Sequence, residues 1–356
     1  MKKATLILSL LAASTSAAWA QSSVTMYGIV DVGVRYLSNS GTVPGTGALW
    51  QVVPGGMSQS RLGFNITEDL GGGLKAIANL EHRLNSDTGT VAAADFWRQS
   101  WVGLQSADFG RITVGRQYNV LFDIYTSTYA SFKYSPYIEA YKPEIGLSMG
   151  ARQDNMVKYM GEMGGLRGEL QVSAGEGTGP NKSMGGLLRY QMGDFALGGA
   201  YLEVTEVNGK KATGGTFGGA WSSGPWYVNA SWATNKFDAG GILGGAYTAG
   251  LIGSGVLNAA ANDVKQRDMY AAGLTYQLTT QLNLGGHYWH ADQTHYVVGP
   301  ATSKADYFAA VADFAFSKRT DAYAEVDYTT FSDGYVKLAN SATHRYGATV
   351  GLRHRF

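Results

Sequence analysis

From Val24 to Tyr36 the chain alternates. Val24, Met26, Gly28, Val30, Val32, Val34 and Tyr36 occupy the even positions, and Thr25, Tyr27, Ile29, Asp31, Gly33 and Arg35 the odd ones. A period of two puts every second side chain on the same side of a strand, so one face is apolar and the other largely polar. The far end repeats the pattern. There His344, Tyr346, Ala348, Val350, Leu352, His354 and Phe356 oppose Arg345, Gly347, Thr349, Gly351, Arg353 and Arg355. A soluble sandwich also has one face of each kind. Here the polar face carries repeated arginines, and units of about ten residues recur between turns, as they do in a transmembrane β-barrel. No amphipathic helical period of useful length competes with this reading, so the fold class is all-β.

Turns and loops alternate in length. Short reversals fall at Leu70-Gly71-Gly72-Gly73, Ala107-Asp108-Phe109-Gly110, Met163-Gly164-Gly165, Gly193-Asp194, Ser223-Gly224-Pro225, Thr279-Thr280 and Lys318-Arg319-Thr320, each with residues suited to a tight turn. Longer stretches lie at 38–60, 86–95, 119–152, 178–183, 207–212, 238–265, 292–304 and 332–343. This spacing predicts a 16-stranded antiparallel transmembrane β-barrel with short turns on one side of the membrane and long loops on the other. The 238–265 stretch, rich in Gly and Ala, has room for a short helix. In hydrocarbon every backbone donor and acceptor needs a partner, and an all-β chain meets that demand only by closing on itself. A closed sheet of this size leaves a lumen wide enough for water.

Composition fits the same picture. Gly is 49 of 356 residues, Pro only 7, and Tyr 22. Lys2 and Lys3, the apolar run Leu6–Ala13 and Ala18-Trp19-Ala20 form a cleavable export signal over 1–20, leaving a barrel domain at 21–356. The apolar run is far short of the roughly 20 residues that a spanning helix needs. Without Lys2 and Lys3 the chain holds 26 basic and 27 acidic residues. A near-neutral balance argues against nucleic acid as a partner. An exported chain with no cysteine holds itself together without disulfides.

Catalytic and metal chemistry find no support. His287 and His290 are three apart, so on a strand they point to opposite faces and do not share an ion. Gly71-Gly72-Gly73-Leu74-Lys75 lacks phosphate-loop spacing and reads as a turn. No Ser-His-Asp constellation stands out. We expect no cofactor, no metal and no enzymatic activity. Tyr36, Trp97, Trp101, Tyr190, Tyr288, Tyr328 and Phe356 are placed in girdles at the membrane interfaces.

Several motifs are similar to those of one family. Val24-Thr25-Met26-Tyr27-Gly28-Ile29-Val30-Asp31 resembles the opening strand of Gram-negative general porins, particularly the betaproteobacterial and neisserial branch. Arg61-Leu62-Gly63-Phe64 with Glu68-Asp69-Leu70-Gly71 resembles their second strand and turn. Arg98-Gln99-Ser100-Trp101-Val102-Gly103-Leu104, Phe109-Gly110 and Gly115-Arg116 resemble strands four and five. Phe356 resembles the aromatic assembly signal of outer-membrane barrels, with His354 where that family often has tyrosine. The resemblance implies a homotrimer in outer-membrane lipid and lipopolysaccharide, delivered through the periplasm by the barrel-assembly machinery. It also implies an inward-folded loop 3 at about 119–152, where Pro143-Glu144-Ile145-Gly146 looks like the family's Pro-Glu-Phe-Gly motif.

By the same resemblance the basic wall of a pore constriction holds Arg61, Arg98 and Arg152. Alternation adds Lys158, in phase with Arg152, and Arg83 beside Glu81. It sets Arg61 out of phase with Leu62 and Arg98 out of phase with Trp97 and Trp101. The facing acids are Glu144, Glu139 and Asp123, with Glu81 grouped among them. A charge on the lipid face would cost ~2–4 kcal/mol at mid-membrane, so these groups face inward. The expected function is general diffusion of small hydrophilic solutes and ions with weak anion selectivity. The alternatives are a solute-specific channel for a sugar, phosphate or carboxylate with a saturable site, and a barrel enzyme.

Overall fold

The computed structural model describes residues 22–41, 47–92, 96–144, 149–175, 182–241, 264–296, 302–332 and 342–356. The expected export signal and residues 242–263 of the 238–265 loop lie outside them. Among the described residues sixteen long strands run antiparallel. They are β1 (Ser23–Leu37), β2 (Arg61–Gly71), β3 (Leu74–Asn85), β4 (Trp97–Ser106), β5 (Gly110–Tyr118), β6 (Arg152–Met163), β7 (Leu166–Ser173) and β8 (Lys182–Met192). The second half comprises β9 (Phe195–Thr205), β10 (Lys211–Ser223), β11 (Trp226–Phe237), β12 (Val264–Gln277), β13 (Leu282–His295), β14 (Thr302–Ala315), β15 (Thr320–Ser332) and β16 (His344–Arg355). Each pairs with its chain neighbours, and β16 returns to β1 from Ile29↔Arg355 to Leu37↔Gly347. The sheet is closed.

The two faces divide as the alternation requires. On β15 Asp321, Tyr323, Glu325, Asp327 and Thr329 are buried inside, while Val326 and Tyr328 are exposed outside. One outward row crosses seven strands in register: Val228, Leu274, Gly286, Ala310, Val326, Ala348 and Tyr36. It contains no charge. A continuous apolar belt of this kind is what lipid solvates and water does not. Its upper edge is aromatic, with Tyr288 and Phe308 rings 4.6 Å apart and Tyr36 and Tyr346 6.0 Å apart.

The seam between the first and last strands depends on a glycine. Gly28 and Phe356 exchange two backbone hydrogen bonds of 3.1 Å. A Cβ on Gly28 would stand 2.3 Å from the Phe356 ring, so the ring lies where the glycine has no side chain. Above that point β2 covers only Ser23–Ile29 of β1, and the short strand Leu49–Val53 takes up Gly33–Leu37.

The interior is partly filled. Helix α1 (Val120–Thr128) opens the segment between β5 and β6, capped by Asn119, whose side chain accepts from the Phe122 amide at 3.0 Å. Val120, Leu121, Ile124, Tyr125 and Thr128 are buried, and the helix packs on β8, β9 and β10 from within. Glycines on the inner face make this approach feasible. A Cβ on Gly198 would meet Ile124 at 2.6 Å, and one on Gly214 would meet Leu121 at 2.8 Å. The stretch 38–60, expected as an outer loop, also turns inward at its end. Asp31 accepts from the amides of Gly56 and Met57 at 3.1 Å and of Ser58 at 2.6 Å, and from the Tyr323 hydroxyl at 2.6 Å. Met57 is thereby buried inside the barrel.

Candidate functional site

The inner wall formed by β16, β1, β2 and β3 carries a row of guanidinium groups. Ile29 stands opposite Arg355 on one side and Arg61 on the other, and Arg61 stands opposite Arg83. Arg353 lies one step further along β16, held by Asp321 at 2.9 Å, Asp313 at 3.6 Å and Ser58 Oγ at 2.8 Å. Neither Arg353 nor Arg355 was singled out from the sequence. Their parity on the last strand was legible, but not that this strand closes beside Arg61.

Arg98 joins the same wall through an irregularity. The pairing of β3 with β4 shifts between Glu81↔Gln99 and His82↔Trp97, leaving Arg98 as the extra residue of a bulge. The guanidinium is 1% exposed, with Nε 3.2 Å from Glu81 Oε1 and Nη2 donating to the Tyr137 hydroxyl at 3.4 Å. The bulge also changes the phase of β4. Trp101 stands opposite the inward-facing Asn79 with Arg111 5.9 Å over its ring, so it lies on the inner face and not in the outer girdle. Glu81, grouped with the facing acids from the sequence, sits on the basic wall. It accepts from the Tyr27 hydroxyl at 3.0 Å and lies 3.9 Å from Arg61.

The remaining candidates are distributed around the lumen. Arg152 lies just before a second irregularity, where Asn155 takes a left-handed φ of 53°. Its guanidinium is 5.3 Å from the Tyr118 ring, whose centre is 5.6 Å from the Arg98 guanidinium, so the two arginines flank one ring. Lys158 donates to Asp123 in the first turn of α1 and to the Tyr118 carbonyl at 3.0 Å. The pair ties the helix to β6. Glu139 pairs with Lys142 at 2.5 Å on the inward segment. Glu144 is buried against the wall far from the arginine row, where Trp289 Nε1 donates to it at 3.1 Å. Ile145 and Gly146 of the expected loop motif lie outside the described residues. His287 is buried inside and His290 lies on the outer face beside Asp306, so the two histidines do point apart.

Beyond α1 the segment 129–144 crosses the interior and is anchored at several points. The Tyr227 hydroxyl donates to the Ala130 carbonyl at 2.7 Å, and the Tyr141 hydroxyl is 2.8 Å from Thr329 Oγ1. Ser135 Oγ donates to the Met57 carbonyl at 2.9 Å, and the Ala140 amide to the Gly56 carbonyl at 3.0 Å. Burial pushes the Tyr141 hydroxyl well above the ordinary tyrosine range, so this anchor stays neutral at any working pH. Between the segment and the arginine row a cavity of 260 Å³ is left.

A closed sheet with an apolar exterior, a charged interior and an inward segment narrowing the lumen defines a transmembrane β-barrel of the outer membrane. The sequence matches the Gram-negative porin family model over residues 7–334, and the chain belongs to that family. It is 37% identical to an outer membrane porin protein of Bordetella pertussis over 45% of this chain and 44% of that protein. The shared stretch thus spans less than half of that relative. To the major outer membrane protein P.IB of Neisseria meningitidis serogroup B it is 29% identical over the whole of both chains. An anion-selective porin from Comamonas acidovorans has the same fold, with a TM-score of 0.72 at 22% identity over 94% of this chain and 100% of that one.

Proposed function

We propose that the chain forms a passive, water-filled general-diffusion pore for small hydrophilic solutes and ions, that it is a channel and not an enzyme, and that it prefers anions. The observation that carries this is the row Arg355, Arg61 and Arg83, with Arg98 beside it, facing an inward segment that is held by hydrogen bonds to β11 and β15. Arginine keeps its charge at any working pH, so the field across the gap is permanent. Polar solutes and water align in such a field, whereas apolar solutes lose hydration with nothing in return. Of the acids on the inward segment, Glu139, paired with Lys142 at 2.5 Å, is the one we assign to the facing charge. The anion selectivity named for the Comamonas porin supports the sign.

The working unit is a homotrimer in outer-membrane lipid and lipopolysaccharide, assembled by the barrel-assembly machinery after removal of residues 1–20. The test is reconstitution of the detergent-purified protein in a planar bilayer. Ohmic steps and a reversal potential of anionic sign in a KCl gradient are expected. Absence of steps, or a clear cation preference, overturns the reading.

A further inference from the structure

The last residues of loop 38–60 lie between the arginine wall and the inward segment and are bonded to both. On the wall side the two Asp31 carboxylate oxygens take four donors, the successive amides of Gly56, Met57 and Ser58 and the Tyr323 hydroxyl. Ser58 Oγ accepts from Arg353 at 2.8 Å, and the Gln59 carbonyl from Arg61 Nε at 3.0 Å. On the segment side the Met57 and Gly56 carbonyls accept from Ser135 Oγ and the Ala140 amide. The Met57 side chain packs in one buried apolar cluster with Phe132, Ile138 and Tyr141 of the segment. The fit leaves no slack. A Cβ on Gly56 would stand 2.1 Å from the Tyr323 hydroxyl, and Gly55 takes a φ of 140° that favours glycine. Cavities of 260 and 230 Å³ remain on either side, one lined by Met57 and Ser58, the other by Pro54, Gly55 and Gln59.

We propose that residues 54–59 are a spacer that keeps the inward segment off the arginine wall, with Asp31 as its positioning residue; this rests on the reading of the chain as a pore. Asp31 is 0% exposed and touches no solute. It acts through the backbone it holds. A carboxylate that accepts consecutive amides fixes main chain and not a rotamer, and charge-assisted bonds of this kind are stronger than neutral ones. The segment already meets the wall at one point, where Arg98 Nη2 donates to the Tyr137 hydroxyl. Without the spacer it settles further onto that wall, and the passage narrows. The open level of the channel therefore depends on a loop other than the one that forms the waist.

Single channels of the reconstituted full chain are recorded in KCl at one fixed voltage. The ratio of time spent in reduced levels to time at the full level is read. Ser135→Ala cuts the segment's bond to the Met57 carbonyl, leaves the barrel wall untouched, and should raise the ratio roughly 5-fold. Asp31→Asn turns one acceptor oxygen into a donor, so two of the four donors lose their acceptor, and the ratio should rise roughly 30-fold. The two changes together should exceed Asp31→Asn by little, since both act through one spacer. If Asp31→Asn does not assemble, Tyr323→Phe, which deletes one of the four donors, takes its place in the comparison. Ratios equal to that of the unmodified chain overturn the spacer and leave the pore standing. So do effects that multiply in full when the changes are combined. Absence of channels from the unmodified chain removes the pore, and the spacer with it.

Discussion

At the scale of single residues, Arg98 and Arg61 share a charge and a wall but not an environment. Arg98 is 1% exposed and bound to Glu81, whereas Arg61 keeps more of its surface and reaches Glu81 only at 3.9 Å. Removing one partner of a buried pair leaves the other uncompensated, so Arg98→Ala should destabilise the barrel by about 3–5 kcal/mol. Arg61→Ala should cost less, about 1 kcal/mol, because at 3.9 Å its contact with Glu81 is long and Glu81 keeps Arg98 as its nearer partner. Urea unfolding midpoints in detergent measure both. In bilayers each change should raise conductance and reduce anion preference, and an unchanged reversal potential would place that residue away from the narrowest point. For Arg61 the resemblance and the alternation agree on an inward side chain, since β2 is regular there. The argument for Arg98 from its phase against Trp101 used a period that the bulge interrupts, and a bulge leaves no mark in a hydrophobic pattern.

At the scale of elements, the inward segment is held as a piece of the wall. Helix α1 has only 9 residues, too few for a helical period to emerge from sequence, and its docking surface is written in glycines on the facing strands. Those glycines look like loosely specified strand from the sequence, yet each marks where another element comes close. Tyrosines mislead in the same way. The interface girdles account for part of the aromatic content, but Tyr125, Tyr129, Tyr141, Tyr307 and Tyr323 are buried inside around the inward segment and the end of loop 38–60. Gly214→Val tests the docking. Its Cβ would press on Leu121 and Met149 and not on backbone, at an overpacking cost of about 1–3 kcal/mol. The segment should then loosen, seen as faster tryptic cleavage after Lys133 and a noisier open channel. Gly215→Val on the outer face meets its nearest atom at 3.5 Å and should change stability by less than about 0.5 kcal/mol. Equal protease resistance in both variants would mean that α1 does not depend on that gap.

At the scale of the whole molecule, closure is the property from which the rest follows. An open edge in hydrocarbon strands unpaired amides and carbonyls, and the seam between β16 and β1 is where the two ends of the sheet must find each other. The lowest rung of that seam is the pair of hydrogen bonds between Gly28 and Phe356, with the ring lying over the glycine. Two net hydrogen bonds amount to roughly 1–3 kcal/mol. Deleting Phe356 should therefore lower the temperature at which the folded, fast-migrating band is lost in gels run after graded heating. Gly28→Val should lower it by at least as much although Phe356 is still present, because the new side chain occupies the ring's place and also presses on the Arg61 carbonyl at 2.8 Å. The double variant is the informative one. If both changes act on the same contact, it should be no worse than the poorer single variant, since a contact can be lost only once. Fully additive losses would mean that Gly28 and Phe356 serve the seam separately, and that the barrel is closed by the upper register from Ile29 to Leu37 without help from its last residue.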